Sequence, residues 1–503
     1  MKYRNPIIRG FNPDPSICCV GGDCYLVTSS FEYFPGIPVY HSTDLLNWKL
    51  IGHCITREEQ LQMEGVKASS GIWAPTIRYS NGRFYVTATF NERGNFIVYT
   101  DNSSEEWSDP IWTDMDGIDP SIFFEDGKMY YCANDCGSRG GNGEGISLAE
   151  IDPETGKVKG EIKRIWTGTG GGFLEAPHIY HIGEWYYLLA AEGGSGIGHM
   201  TTAARCKSLF GEYETCPDNP ILTNRHDTSK QVGYSGHSDL FMDNSGNWWI
   251  VHLAIRRDCG TMSSIGRETF LTPIIWNNDW PVVENNRKAT LDVDAKINAA
   301  QALYKEWTAD FAETEWEKEW LFLRKPQFEN YERKNGCLCL KPSTVKITDE
   351  TVSPTFAAVR KEEIDFTSEA ELEFDTNEIG DEAGMVIYLS PDYHYRICKK
   401  REGGGDYISV EKTAEDFREI AFKEKLQNGR ITLRIIGSKG AYGFYYASDG
   451  KQMKYLCSAK TKFLTCELAG KSFTGTVIGL YAQSDKETKS FARVYKFSMI
   501  YNR

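Results

Sequence analysis

Short apolar and aromatic runs, broken by Gly, Asn and Asp, dominate the pattern of this chain. Such runs predict strands and hairpins. One unit recurs: a small or Pro-containing step into an apolar strand, a turn, and a second strand rich in aromatics. Copy one is Asp14-Pro15-Ser16-Ile17, a turn at Gly21-Gly22, then Tyr25-Leu26-Val27. Copy two is Ala74-Pro75-Thr76-Ile77, Asn81-Gly82, then Phe84-Tyr85-Val86. Copy three is Asp119-Pro120-Ser121-Ile122, Asp126-Gly127, then Tyr130-Tyr131. Copy four is Ala176-Pro177-His178-Ile179, Gly183, then Trp185-Tyr186-Tyr187-Leu188. Copy five is His237-Ser238-Asp239-Leu240, Ser245-Gly246, then Trp248-Trp249-Ile250.

The copies start 60, 45, 57 and 61 residues apart, enough for four strands each. A four-stranded unit repeated radially is a propeller blade. A large sandwich has no reason to repeat one signature five times. The pattern therefore predicts an all-β protein, with a five-bladed β-propeller over 1–300. Equivalent positions of radial blades lie on one ring around the axis. That ring holds Asp14, Ala74, Asp119, Ala176 and His237, preceded by Pro13, Trp73, Ile118, Glu175 and Gly236. Asp14, Asp119 and Glu175 thus converge from three blades. Clustered buried carboxylates repel one another and destabilise a fold, so chemistry is the better reason for them.

After Asp292-Val293-Asp294 the repeat stops. Residues 301–334 read as a charged, Trp-containing connection. From 335 to 503 the chain alternates as strands, at 371–374, 385–388, 393–398, 431–436, 442–446, 477–481 and 492–497. That spacing predicts a β-sandwich domain. Two domains suit 503 residues.

Composition narrows the partners. Aromatics make up 13%, which suits pleated sheets and also sugar faces. The net charge of −14 repels phosphate backbones and anionic lipids, so nucleic acid and membrane are not expected partners. No 18-residue apolar run occurs. The opening residues carry no apolar leader segment, and a cytoplasmic location is the expectation. The 14 cysteines include Cys18-Cys19, Cys132 with Cys136, and Cys337 with Cys339, but form no zinc-like set. Reduced thiols are expected rather than a disulfide framework.

Six ordered motifs resemble glycoside hydrolase family 43. They are Asn12-Pro13-Asp14-Pro15-Ser16-Ile17, the run from Ser29-Ser30-Phe31 to Gly36-Ile37-Pro38, and Gly71-Ile72-Trp73-Ala74-Pro75. Ile118-Asp119-Pro120-Ser121-Ile122, Glu175-Ala176-Pro177-His178-Ile179-Tyr180 and Gly266-Arg267-Glu268-Thr269 complete the set. The similar branch holds β-xylosidases and α-L-arabinofuranosidases with a C-terminal sandwich. The resemblance implies an exo-acting, inverting hydrolase of small oligosaccharides that needs no cofactor. It would release D-xylose from non-reducing ends of β-1,4-xylo-oligosaccharides, and arabinofuranose as the alternative. By the resemblance Asp14 matches the general base, Glu175 the general acid, and Asp119 the carboxylate that tunes the acid. Inversion places base and acid about 6.5–9.5 Å apart, leaving room for water.

The resemblance also implies sugar contacts for Arg267, Phe31 and Trp73, and raises a structural calcium near His237. Glu268 reads as a structural partner, and the stretch 168–172 as a backbone close to the pocket rather than a phosphate loop. Ala176 departs from the Gly of many relatives. Homo-oligomers fit the architecture. Fructan-cleaving propellers carry W-x-N-D-P-N-G and R-D-P motifs that this chain lacks, and a non-catalytic sugar-binding protein has no use for all three carboxylates.

Overall fold

Each repeat folds as an antiparallel sheet, in the computed structural model that describes residues 2–135, 145–227, 231–297, 299–302, 306–426, 429–448, 451–470 and 472–501. Blade one comprises Ser16–Val20, Asp23–Val27, Gly36–Ser42 and Lys49–Ile55. Blade two comprises Thr76–Ser80, Arg83–Phe90, Gly94–Thr100 and Ile111–Trp112. Blade three holds Ser121–Glu125, Lys128–Asn134, Ile146–Ile151 and Val158–Trp166. Blade four holds Glu175–Ile182, Trp185–Glu192, Met200–Cys206 and Glu214–Thr215, with Leu222–Thr223 added to its third strand. Blade five holds Val232–Met242, Trp248–Arg256, Arg267–Asn277 and Trp280–Val283. The ring closes where Lys2–Arg4 pairs antiparallel with Asp292–Asp294. No described helix is long and apolar enough to cross a membrane.

The third residues of the five repeats are Ser16, Thr76, Ser121, His178 and Asp239, all buried and all polar. Asp239 joins four blades. Its carboxylate accepts from Arg78 Nη1 and Nη2 at 2.8 and 3.0 Å, from Ser16 Oγ and Tyr180 Oη at 2.6 Å, and from the Ile17 N–H at 3.0 Å. Around this hub, Thr76 donates to the Pro120 carbonyl, and the Thr201 and Ser238 hydroxyls bond at 2.7 Å. The blades are thus bonded to one another through polar groups sealed from water. Apolar clusters between adjacent sheets supply the bulk of the packing.

The second domain is a sandwich of an eight-stranded and a six-stranded antiparallel sheet. All seven strands expected from the alternation are present, within longer spans such as Phe366–Phe374 and Glu382–Ser390. Gly405–Ala414 and Phe417–Lys425 were not expected, because their polar composition hides the period. The segment 301–334 is more than a connection. Trp307–Thr308 pairs with Ser498–Met499, and Ala309, Phe311, Trp320 and Phe322 lie in the sandwich core. Its closely spaced tryptophans follow no strand period, so burial could not be read from alternation.

The domains are stitched together. Phe322–Leu323 pairs with Tyr33–Phe34 of the propeller. Glu363 of the sandwich binds both Arg9 and Arg256, while Arg256 also holds Glu268 at 2.7 Å. Glu268 is therefore the structural partner expected, placed beside Arg267. Buried Lys361 donates across the same boundary to Ser264 Oγ at 2.6 Å and, within the sandwich, to Tyr442 Oη at 3.0 Å. The expectation of wholly reduced thiols is corrected at one hairpin. Cys19 and Cys24 face each other across its strands, and that register brings them together as a disulfide. The other described cysteines are free, and Cys136 lies outside the described residues.

Removing one partner of a buried ion pair strands the other charge, at a cost of about 3–5 kcal/mol. Asp239→Ala is expected to lower stability by that order in chemical denaturation followed by tryptophan fluorescence. Adding Arg78→Met should recover part of the loss, because no charge is then left unpaired.

Candidate active site

The repeat's geometry places the carboxylates on one face. In each blade the first strand starts on the same face as the connection between strands two and three, since neighbouring strands run antiparallel. That face collects Asp14, Asp119, Glu175 and the loops around Phe31, 193–199 and 257–266. Four of the five ring positions adopt left-handed backbone: Asp14 (φ 56°), Asp119 (52°), Ala176 (53°) and His237 (52°). Such geometry in non-glycine residues costs about 1–3 kcal/mol each and persists only where the surroundings enforce it. It also explains why glycine suits position 176, and why alanine there is tolerated rather than favoured.

Asp14 is buried and held on three sides. Ser29 Oγ donates to Oδ2 at 2.6 Å, Arg267 Nη1 donates to Oδ1 at 2.9 Å, and His237 Nδ1 stands 3.6 Å from Oδ1. Burial alone would raise its pKa. The Arg267 guanidinium, then His237 and the Ser29 hydroxyl, outweigh burial and hold the carboxyl below its usual range.

Glu175 is half-buried at the head of blade four and behaves oppositely. Burial, then the negative charge of Asp14, push its pKa up to about 7, against a smaller opposing pull from Arg267. Asp119 is pushed well above the carboxylate range by burial and then by Glu175 and Asp14, although the Ala176 N–H donates to it. Glu175 and Asp119 therefore titrate as a pair that retains a proton at neutral pH. Buried Asn134 fixes the backbone ahead of both. Its Oδ1 accepts from the Ile118 N–H at 2.9 Å and its Nδ2 donates to the Leu174 carbonyl at 3.3 Å. Gly117 allows this approach, because a Cβ there would lie 1.7 Å from the Asn134 carbonyl oxygen.

Arg267 leads into the wall of the pocket. Its Nη2 donates to the backbone oxygen of Phe473, a sandwich residue, at 2.9 Å. The guanidinium also lies 5.8 Å from the Phe31 ring centre and 5.6 Å from that of Phe473. Those two rings stack at 6.2 Å, and Phe31 is almost wholly covered by protein. The Phe473 N–H donates to Ser69 Oγ at 2.9 Å, while the Ser69 carbonyl accepts from the Trp73 indole at 3.3 Å. One sandwich loop thus bridges blade five and the turn before blade two, beside Asp14 and Arg267. Phe473, Ser69 and Asn134 were not singled out from sequence. Phe473 sits in a polar loop far from every repeat, with nothing local to mark it.

Residues 3–281 match the profile of Glycosyl hydrolases family 43, and residues 308–499 that of the Beta xylosidase C-terminal Concanavalin A-like domain. The chain belongs to glycoside hydrolase family 43. A non-reducing end alpha-L-arabinofuranosidase of Bacteroides ovatus is 37% identical over 97% of this chain and 92% of that protein. A beta-xylosidase of Bacillus subtilis is 31% identical over 96% of each. The solved structure of the Bacteroides ovatus xyloglucan PUL GH43B superposes with a TM-score of 0.95 at 36% identity, covering 100% of both chains.

In this family 43 glycosidase His237 brings an imidazole to Asp14, and burial lowers its pKa while the Asp14 charge pulls it back up. Neighbouring His199 is buried too, with Nδ1 on the Tyr234 carbonyl at 3.0 Å. Calcium takes six to eight oxygen ligands. Two imidazoles and a carboxylate already engaged by Arg267 and Ser29 fall short of that shell, so these residues do not by themselves form a calcium site. The stretch 168–172 precedes Glu175 in the chain and is anchored by buried Glu192. That carboxylate accepts from the Thr169 N–H at 3.0 Å and the Gly171 N–H at 2.8 Å.

One pocket of the glycosidase therefore offers a carboxylate held ionised and a carboxyl held protonated, the pairing that acid–base chemistry needs. With Glu175 required protonated and Asp14 ionised, kcat/KM should fall as pH rises through about 7. It should hold on the acid side until Asp14 protonates, below the usual carboxylate range. Phe473→Ala keeps the backbone oxygen that Arg267 bonds but removes the ring stacked on Phe31 and beside the guanidinium, and steady-state kinetics should give a KM raised about tenfold or more.

Proposed function

We propose that this enzyme releases D-xylose from the non-reducing ends of short β-1,4-xylo-oligosaccharides with inversion. Asp14 is the general base that activates water, and Glu175 is the general acid that protonates the departing oxygen. Asp119 keeps the acid protonated and contacts the sugar. The opposed titration of Asp14 and Glu175 in one pocket carries this reading. Arg267 explains the contrast: it bonds directly to Asp14 and only weakly offsets burial at Glu175.

The closed side supports exo action. Phe473, Arg267 and Phe31 pack together on that side, an arrangement that suits entry of a chain end rather than threading of a longer polymer. Trp73 and Phe31 belong to the wall around that single unit. A second reading, release of α-L-arabinofuranose, is favoured by the 37% identical Bacteroides ovatus relative. The same carboxylates serve both.

Initial rates on 4-nitrophenyl β-D-xylopyranoside and 4-nitrophenyl α-L-arabinofuranoside separate the two. Faster xyloside release is the expected outcome, and dominant arabinoside release would establish the second reading. Proton NMR of the first-formed xylose should show the α-anomer. Asp14→Ala should lose at least 10³-fold in kcat, in the upper range for a positioned base, about 10²–10⁴-fold. Near-full activity of Asp14→Ala on xylobiose would overturn the base assignment.

A further inference from the structure

Phe173, two residues before Glu175, is 75% exposed, more than any other large hydrophobic residue described. A lone exposed phenyl is ordinary. This one is held in place. Its backbone is left-handed (φ 53°), an outlier for a bulky residue. On its N-terminal side, Thr169 and Gly171 are bonded to Glu192, and the Gly193 N–H donates to the Gly172 carbonyl at 2.8 Å. On its C-terminal side, Leu174 is buried and its carbonyl accepts from Asn134. The ring lies against Gly194, where an added Cβ would sit 3.2 Å from Phe173 Cδ2. Loops 167–174 and 193–199 both belong to the carboxylate face of blade four. Ile197, on the second loop, is also exposed.

An acid that protonates the glycosidic oxygen must stand at the boundary between the retained sugar and the leaving group. On the proposed function the retained sugar sits beside Asp14, Arg267, Phe31 and Phe473, which cluster on blades one and five and the sandwich loop. The leaving group is then left to the solvent side of Glu175, where a rigidly mounted aromatic face waits. Sugar rings present C–H faces that pack on such surfaces, and a contact of this kind is worth a factor of about two to ten.

We propose that Phe173 is the platform for the leaving-group sugar and sets the enzyme's preference for leaving groups that carry a ring. This rests on Glu175 being the acid. The test compares xylobiose with β-D-xylopyranosyl fluoride, whose leaving fluoride has no ring and needs little protonation. Phe173→Ala is expected to lower the ratio of kcat/KM on xylobiose to that on the fluoride about five- to tenfold, mainly through KM. Phe173→Trp is expected to preserve the ratio. An unchanged ratio in Phe173→Ala, whether both substrates fall together or neither falls, overturns the proposal. Glu175→Ala run alongside tests the underlying reading separately. It should cripple xylobiose cleavage far more than fluoride cleavage, and equal effects on both would remove Glu175 as acid. Should the wild type prefer arabinofuranosides, the same ratio is read with α-L-arabinofuranosyl fluoride and an arabinofuranosyl-xylobiose.

Discussion

The buried ion pair between Arg78 and Asp239 sits where the blades meet, and the site is arranged around it. A propeller's axis is a poor place for apolar packing, because strands from different blades diverge outward and leave a narrow polar channel. Here the channel is filled by polar groups that satisfy one another. Their bonds run between blades, so each sheet's position depends on its neighbours. Burial raises the Asp239 pKa, but Arg78, then His178, overcome this and hold it well below the usual carboxylate range. The stabilisation this carboxylate contributes is therefore present above its unfolded pKa near 3.8, and is lost as pH falls through its lower folded value.

On that frame, chemistry follows from small differences in surroundings. Asp14 and Glu175 are both carboxyls in a common field. One has a guanidinium at hydrogen-bond distance, and the other has burial and a like charge. No intrinsic property of aspartate or glutamate divides the two roles. The left-handed backbone at four of the ring positions breaks the regular alternation of side chains that an ordinary strand would continue there.

Much of this was legible because repetition is loud. Five copies of one signature set the blade number, and their common register puts Asp14, Asp119 and Glu175 on or beside one ring. The hub was written in the same alignment. The third residue of each copy is polar where a strand facing a hydrophobic core would be apolar, and Asp239 is the charged member. Its meaning emerges only when Arg78 is placed opposite, 161 residues away in sequence. Phe473 was beyond reach for another reason. Its role comes from a contact between domains, and neither periodicity nor motif encodes which loop of a sandwich meets which edge of a propeller. The tryptophans of 301–334 hid for a third reason: their burial follows no period.

The reach of Phe473 into the propeller has a consequence for how the protein comes into being. Chains are made from the N-terminus, and the ring cannot close until Asp292–Asp294 is available to pair with Lys2–Arg4. Even a closed ring lacks one wall until the loop bearing Phe473 is translated and its sandwich has docked. Catalytic competence is thus the last property a nascent chain acquires. A ribosome stalled anywhere in the second domain would carry a nearly complete propeller with an open, idle pocket.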